Sequence, residues 1–175
     1  MDYVSRSSAQ RAEKLASAIE LKHGVKAITV QADMGSEDGP ASIVAAAKQR
    51  FNRPGSGTFQ LDIIINNAGV GDRTLMGNIE AEKFNWLYHI NVRGPLLLVQ
   101  AAKPYLPNDR SGRIVNISSV ASSLGLAGHT LYGASKAALE GMTRTWSREL
   151  AERATVNAVN PGMFSFTISV ENWIS

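Results

Sequence analysis

Two side chains four residues apart open the case for chemistry. They are Tyr132 and Lys136, in the run Tyr132-Gly133-Ala134-Ser135-Lys136. On a helix, positions i and i+4 share a face. A phenol titrates near pH 10, too high for easy proton exchange at neutral pH. A neighbouring ammonium favours its ionised form, and a Tyr so placed becomes a usable general acid or base. Such pairs are also common on exposed helices, so the weight of this one depends on what surrounds it. Ser119 follows the apolar run Gly112–Ser118 (GRIVNIS). Its hydroxyl can donate to a substrate oxygen or satisfy loop backbone. Ser118 competes for the role, but strand neighbours point to opposite faces, so only one of the two can face a crevice. Asn66-Asn67-Ala68-Gly69 ends another apolar run. Small and amide residues there let a backbone approach a flat ligand closely, or make an ordinary turn. Asn91, just before Gly94-Pro95, can hold a helix kink through a water or a main-chain group, or can be a plain exposed Asn.

These residues need a scaffold, and the chain alternates short apolar runs with longer amphipathic ones. Val25 to Gln31 (VKAITVQ) reads as a strand. Ser36 to Phe51 reads as a helix, with Ile43, Val44 and Ala47 at helical spacing, and Asn52 to Gln60, with Pro54, Gly55 and Gly57, as a loop. Leu61 to Asn66 (LDIIIN) is a continuous apolar run, expected of a strand covered on both faces. Ala81 to about Tyr105 is helical, with breaks or kinks expected at Pro95 and Pro104. Gly112 to Ser118 is a buried strand. Leu131 to Glu152 is a long helix with Leu139, Met142, Trp146 and Leu150 on one side. Thr155 to Asn160 is a strand stopped by Pro161-Gly162. Strands alternating with helices imply βαβ units and a parallel sheet. Right-handed crossovers then place helices on both faces. Ligands in such sheets bind beyond the strands' carboxyl ends, so Asn66, Ser119 and Asn160 should converge on one crevice.

Composition narrows the function classes. The chain has 175 residues, enough for one domain, and a net charge of +3. Its Lys and Arg residues are dispersed, which gives no nucleic-acid arm. Cysteine is absent, excluding disulfides, a thiol nucleophile and thiolate metal ligands. His23, His89 and His129 are scattered, with no HExxH or paired-ligand spacing, so no metal site is expected. His129, three residues before Tyr132, can line a substrate mouth or be an exposed loop His. No apolar run is long enough to span a bilayer. Met1 to Arg6 has no apolar h-region, so the expectation is a cytoplasmic protein. Asn116-Ile117-Ser118 matches the glycosylation sequon, but inside an apolar run, where chance is the better reading.

Taken in order and spacing, these motifs resemble the short-chain dehydrogenase/reductase family. The likeness runs from Tyr3 to Gly162. It includes Asp33 after the third family strand, NNAG at Asn66 to Gly69, Asn91, GRIVNISS, YxxxK at Tyr132 to Lys136, and Pro161-Gly162. The 3-oxoacyl-carrier-protein reductase and fungal ketoreductase branches are the most similar. The resemblance implies an α/β fold with a doubly wound, Rossmann-like parallel sheet. It also implies hydride transfer between NADP(H) and a ketone or secondary alcohol, the hydride being the cofactor's own chemistry. Tyr132 would be the proton donor, Lys136 would favour its ionised form and bind the nicotinamide ribose, Ser119 would hydrogen-bond the substrate oxygen, and Asn91 would hold a relay water. Asp33 would approach the adenine, Asn67, Ala68 and Gly69 its ribose, and Pro161 and Gly162 the nicotinamide side. Tyr3 takes the position where an acidic residue would select NAD. Ser5 and Arg6 just beyond favour the 2′-phosphate of NADP, while the adjacent Asp2 leaves NAD open. The family's oligomer interface corresponds to helices 81–105 and 131–152, which implies a homo-oligomer. The contrasting reading is a catalytically weak family member acting only as a binding or subunit-interaction module.

The sequence departs from that family at both ends. Tyr3 already aligns with the end of the second family strand, so the first strand and the Gly-rich turn that cradles a pyrophosphate are not matched. Residues 1–175 then read as a single, incomplete dinucleotide-binding domain that also lacks the last strand. At the far end Phe166 stands where the family places a Thr, Thr167 follows one residue late, and 163–175 is an atypical tail. In the family the first strand lies mid-sheet, so its neighbours would present unpaired edges, which invite aggregation. The expected outcome is that the 175-residue chain folds poorly or binds NADPH weakly. Micromolar affinity in a fluorescence titration of NADPH against that chain would overturn this.

Overall fold

A computed structural model of the protein describes residues 6–52 and 59–162. The helices are α1 (Arg6–His23), α2 (Gly39–Phe51), α3 (Ala81–Tyr88), α4 (Gly94–Ala102) and α5 (Thr130–Glu149). The strands are β1 (Ile63–Asn66), β2 (Gly112–Ile117) and β3 (Ala154–Val159). They form a parallel sheet in the order β1-β2-β3, with Ile63 opposite Arg113 and Gly112 opposite Ala154. Parallel neighbours need a crossover. Here α3 and α4 link β1 to β2, and α5 links β2 to β3. This is a Rossmann-like α/β arrangement.

The core lies on one face of the sheet. Ile64, Ile114, Ala154 and Val156 project from alternate strand positions onto Val44 of α2, Val99 and Ala102 of α4, and Trp146 of α5. The opposite face carries no such layer among the described residues. Ile63 and Ile65 are 64% and 60% exposed, and Val159 48%. The expectation of a β1 strand covered on both faces is therefore corrected: its burial alternates strictly, because no described helix packs over Ile63 and Ile65. The helices that can be placed against the sheet, α2, α4 and α5, all lie on the same side. A second correction concerns Val25 to Gln31, which forms no strand. A strand exists only where a neighbour's N–H and C=O groups complete its ladder, and no described segment pairs with this one. Val25 stands 51% exposed.

The long helical region is broken, as the prolines require, but by a specific device. Between α3 and α4 the chain makes a π-helical turn, His89–Arg93. Pro95 has no N–H to give to the carbonyl of Asn91 four residues earlier, and a π-turn is a common way for a helix to absorb such a fault. Pro104 sits in a 3₁₀ turn, Lys103–Tyr105, which ends the run. The other boundaries shift modestly. Helix α2 begins at Gly39-Pro40 rather than Ser36, because Pro suits the first helical turn. The Asn52 to Gln60 loop is described only at its two ends, and α1 occupies a stretch to which the sequence reading assigned no element.

A buried chain of polar side chains ties sheet to helix. Asn66 Nδ2 donates to Asn116 Oδ1 at 2.7 Å, across in-register positions of β1 and β2. Asn116 Nδ2 donates to Thr143 Oγ1 of α5 at 2.8 Å, and that hydroxyl donates to Leu139 O. Asn116 is fully buried, which removes its sequon from consideration. Replacing Asn116 by Leu would strand the Asn66 amide, whose Oδ1 already has no partner among the described residues. An unsatisfied buried polar group costs about 1–3 kcal/mol. The expected outcome for Asn116→Leu is a loss of that size in urea unfolding, and a double Asn66→Leu/Asn116→Leu variant should lose less than the sum of the two single changes.

Candidate active site

The carboxyl ends of β1, β2 and β3 open onto a cleft of about 290 Å³. Its wall includes Asn67, Gly69, Val70 and Gly71 after β1, Ile117 to Ser119 after β2, Tyr132 and Lys136 from α5, and Pro161-Gly162 after β3. The structure thus gathers seven residues singled out in the sequence: Asn67, Gly69, Ser119, Tyr132, Lys136, Pro161 and Gly162. Ala68 is exposed beside them without forming the wall. Asp33 lies apart in its own turn, where its Oδ1 accepts the Gly35 N–H at 2.7 Å. Tyr3 and Ser5 fall outside the described residues, and Arg6 is placed only as the first residue of α1.

Ser118 and Ser119 differ in their partners. Ser118 is buried, and its hydroxyl is engaged by the Lys136 carbonyl and by Glu140. Ser119 follows in extended conformation at the start of a 3₁₀ turn, and its Oγ accepts the Ala121 N–H at 3.2 Å. Accepting with one lone pair leaves its O–H proton free to donate. A hydroxyl at this strand end can therefore both stop the strand and face a ligand.

Helix α5 positions the other two groups. Lys136 is buried, and its Nζ donates to Ile117 O at 2.7 Å and lies 5.7 Å from the centre of the Tyr132 ring. One ammonium proton is thus committed, and the side chain lines the cleft. Gly133, between the pair, abuts the Ala121 carbonyl so closely that a Cβ would sit 2.6 Å from its oxygen. That contact seats α5 directly on the Ser119 turn. The ring of His129 meets that of Tyr132 edge-on at 6.2 Å. His129, Asp72, Arg73 and Gly71 line a second cavity of about 290 Å³ that also touches Tyr132. The phenol thus borders two spaces.

Asn91 holds the β1 loop. From the π-turn, its Oδ1 accepts the Val70 N–H at 2.8 Å, and its Nδ2 donates to Val70 O at 2.9 Å and to Ser135 Oγ at 3.1 Å. Both amide protons are used, and one Oδ1 lone pair is left over. A Cβ on Gly69 would lie 3.3 Å from Asn91 Oδ1 and 3.4 Å from Lys136 Nζ, so any side chain there would press both groups outward by a few tenths of an ångström. The sequence offered a kink-holding role for Asn91 but no hint of its partner. Val70 is reached only through the fold. Asp72 was also missed: it is a half-buried residue whose carboxylate is bonded to Lys83 at 2.6 Å, and this bond holds its pKa below the ordinary value.

Burial pushes the Lys136 ammonium below its ordinary pKa of 10.5. Between the lowered value and 10.5, the unfolded chain carries more protons on this group than the folded one. Unfolding free energy therefore rises with pH across that window, and the burial penalty is fully present below it. The expected result is a steeper alkaline rise in urea-unfolding stability for the wild type than for Lys136→Met. Parallel profiles would show that burial does not act on this ammonium.

A family model described as short chain dehydrogenase matches residues 3–174. The chain is 53% identical to L-xylulose reductase of Aspergillus niger, over 93% of this chain and 57% of that protein. It is 48% identical to L-xylo-3-hexulose reductase of Hypocrea jecorina, over 91% and 56%. It superimposes with a TM-score of 0.83, at 37% identity, on a blue fluorescent protein from a metagenomic library crystallised with NADPH, covering 94% of this chain and 64% of that one. The chain spans a little over half the length of the curated relatives it matches. With likeness of this extent running from the first strand-end loop to the last, the chain belongs to the short-chain dehydrogenase family.

Proposed function

We propose that this chain carries the catalytic group of an NADP(H)-dependent oxidoreductase acting on a ketone or secondary alcohol, with a ketose as the carbonyl substrate. The observation that carries the reading is the single cleft lined by Ser119, Tyr132, Lys136, Gly69 and Pro161-Gly162 at the ends of three parallel strands. The cleft suits the nicotinamide-ribose half of a dinucleotide. Gly69 leaves space where a Cβ would crowd Lys136, and Gly71 and Gly162 add little bulk. A solved relative carries NADPH, and two curated relatives are named for reducing ketoses. When bound, the cofactor supplies the hydride.

The chain's own residues do the rest. The free proton of Ser119 Oγ donates to the substrate oxygen and orients the carbonyl toward the cleft. Tyr132 gives its phenolic proton to the same oxygen as negative charge develops there. Lys136 stabilises the resulting phenolate, and its two uncommitted protons are positioned for ribose hydroxyls. Asn91 offers its remaining Oδ1 lone pair to a water beside Lys136, so that the phenol can be reprotonated. Asn67, Ala68 and Gly69 flank the adenine's ribose. Tyr3, Ser5, Arg6 and Asp33 serve the adenosine end, Arg6 favouring a 2′-phosphate. The substrate's hydroxyl-bearing chain extends into the polar cavity of Arg73 and His129 that borders Tyr132.

The same reading includes a homo-oligomer formed through the outer faces of helices 81–105 and 131–152, where Phe84 and Leu96 are 41% and 40% exposed. It takes the cytoplasm as the setting. No helix among the described residues is long and apolar enough to cross a membrane. The test is NADPH oxidation in the presence of L-xylulose. Turnover should fall by on the order of 10²–10⁴ in Tyr132→Phe, the usual worth of a positioned proton donor. A wild-type chain that binds NADPH but turns over no faster than Tyr132→Phe would favour the binding-module reading.

A further inference from the structure

One carboxylate in this region is not used by the chemistry above. Glu140 lies one helical turn beyond Lys136 on α5. Its Oε1 accepts two hydrogen bonds, from Ser118 Oγ at the end of β2 and from Asn160 Nδ2 just after β3, both at 2.8 Å. The Ser122 hydroxyl lies close to the same carboxylate but outside hydrogen-bond geometry. Burial raises the Glu140 pKa, but the neighbouring Ser122, Ser118 and Asn160 groups and the charge of Arg144 outweigh it, and the group stays ionised at neutral pH. Hydrogen bonds to an ionised acceptor are about twice as strong as neutral ones.

The placement matters because of what each partner leads into. Ser118 lies in the cleft wall beside Ser119, and Asn160 precedes Pro161-Gly162, so one bond falls on the wall and the other one residue short of it. Two backbone bonds continue the connection: Ser118 N–H to Val159 O at 2.8 Å and Val120 N–H to Pro161 O at 3.2 Å. A third contact closes the loop, as Ser118 Oγ also reaches the Lys136 carbonyl at 3.2 Å. We propose that Glu140 is a positioning residue, a single acceptor that fixes the ends of β2 and β3 to the helix bearing Tyr132 and Lys136, and so sets the spacing between the Ser119 side and the Pro161-Gly162 side of the cleft. The regular ladder stops at Ile117 and Val159, and the two backbone bonds beyond it join strand end to strand end without reaching α5.

The proposal rests on the cleft being the reaction site only for its effect on turnover, and the test separates the two. Glu140→Gln keeps an Oε1 acceptor, whereas Glu140→Leu removes it. Amide hydrogen exchange of the full 175-residue chain is followed for Ser118 and Val120. In Glu140→Leu these amides should exchange about tenfold faster, the scale of one charge-assisted hydrogen bond, while Ile114 and Val115 keep wild-type protection. Glu140→Gln should restore most of the difference. In the reductase assay, Glu140→Leu should lower kcat while leaving the KM for the ketose within about twofold, again with rescue by Gln. Unchanged exchange at Ser118 and Val120 in Glu140→Leu, or faster exchange spread evenly through β2, overturns the proposal. An inactive wild-type chain overturns the oxidoreductase reading, and the positioning role is then decided by the exchange data.

Discussion

The arrangement depends on a chain of buried side-chain hydrogen bonds running sideways through the fold, from Asn66 to Asn116 to Thr143. Apolar packing alone would let α5 slide along the sheet, because the hydrophobic effect has no direction. Amide and hydroxyl groups buried without water must meet at set distances or incur their full desolvation cost. The Asn66–Asn116 pair fixes the register of β1 against β2, and the Thr143 link fixes the height of α5 above them. Since Lys136 lies seven residues before Thr143 on the same helix, that height decides where the ammonium emerges. Its bond to Ile117 O, at the very end of β2, shows that it emerges at the strand termini.

The second organising feature is the π-turn of His89–Arg93. A regular helix cannot tolerate Pro95 without loss, and the extra residue in the turn rotates Asn91 inward to full burial. There it completes two bonds to Val70, giving the β1 loop the fixed course that a glycine-rich segment would otherwise lack. Arg93, two residues on, bonds to Gly35 O and links the Asp33 turn to the same device. A helical fault thus positions two loops at once. This follows a general pattern in which the irregular parts of a scaffold, held by regular neighbours, carry the chemistry.

Much of the site was legible before any fold was known. Tyr132 and Lys136 share a helical face whatever surrounds them, and Pro161-Gly162 must end a strand. The parallel crossovers then bring the strand ends together, which made the convergence of Asn66, Ser119 and Asn160 an expectation; Ser119 lines the cleft, whereas Asn66 turns to Asn116 and Asn160 to Glu140. What was not legible depended on distant partners. Ser118 and Ser119 are equivalent in sequence, and the positions of Glu140 and the Lys136 carbonyl on a distant helix engage the Ser118 hydroxyl and leave the Ser119 O–H without that tie. Asp72 sits in an ordinary polar loop until Lys83 closes on it. Val25 to Gln31 shows the reverse error: a strand-like composition without a ladder partner stays coil, since propensity contributes little against unpaired backbone.

The sequence by itself determined most of the element types, their alternation, and the candidate groups of the site, because periodicity and side-chain chemistry are local properties. It could not decide which faces of the sheet are covered, which of two serines is free, or how the strand ends are spaced. These are set by contacts between residues far apart in the chain, and they exist only once burial has made each unsatisfied polar group costly.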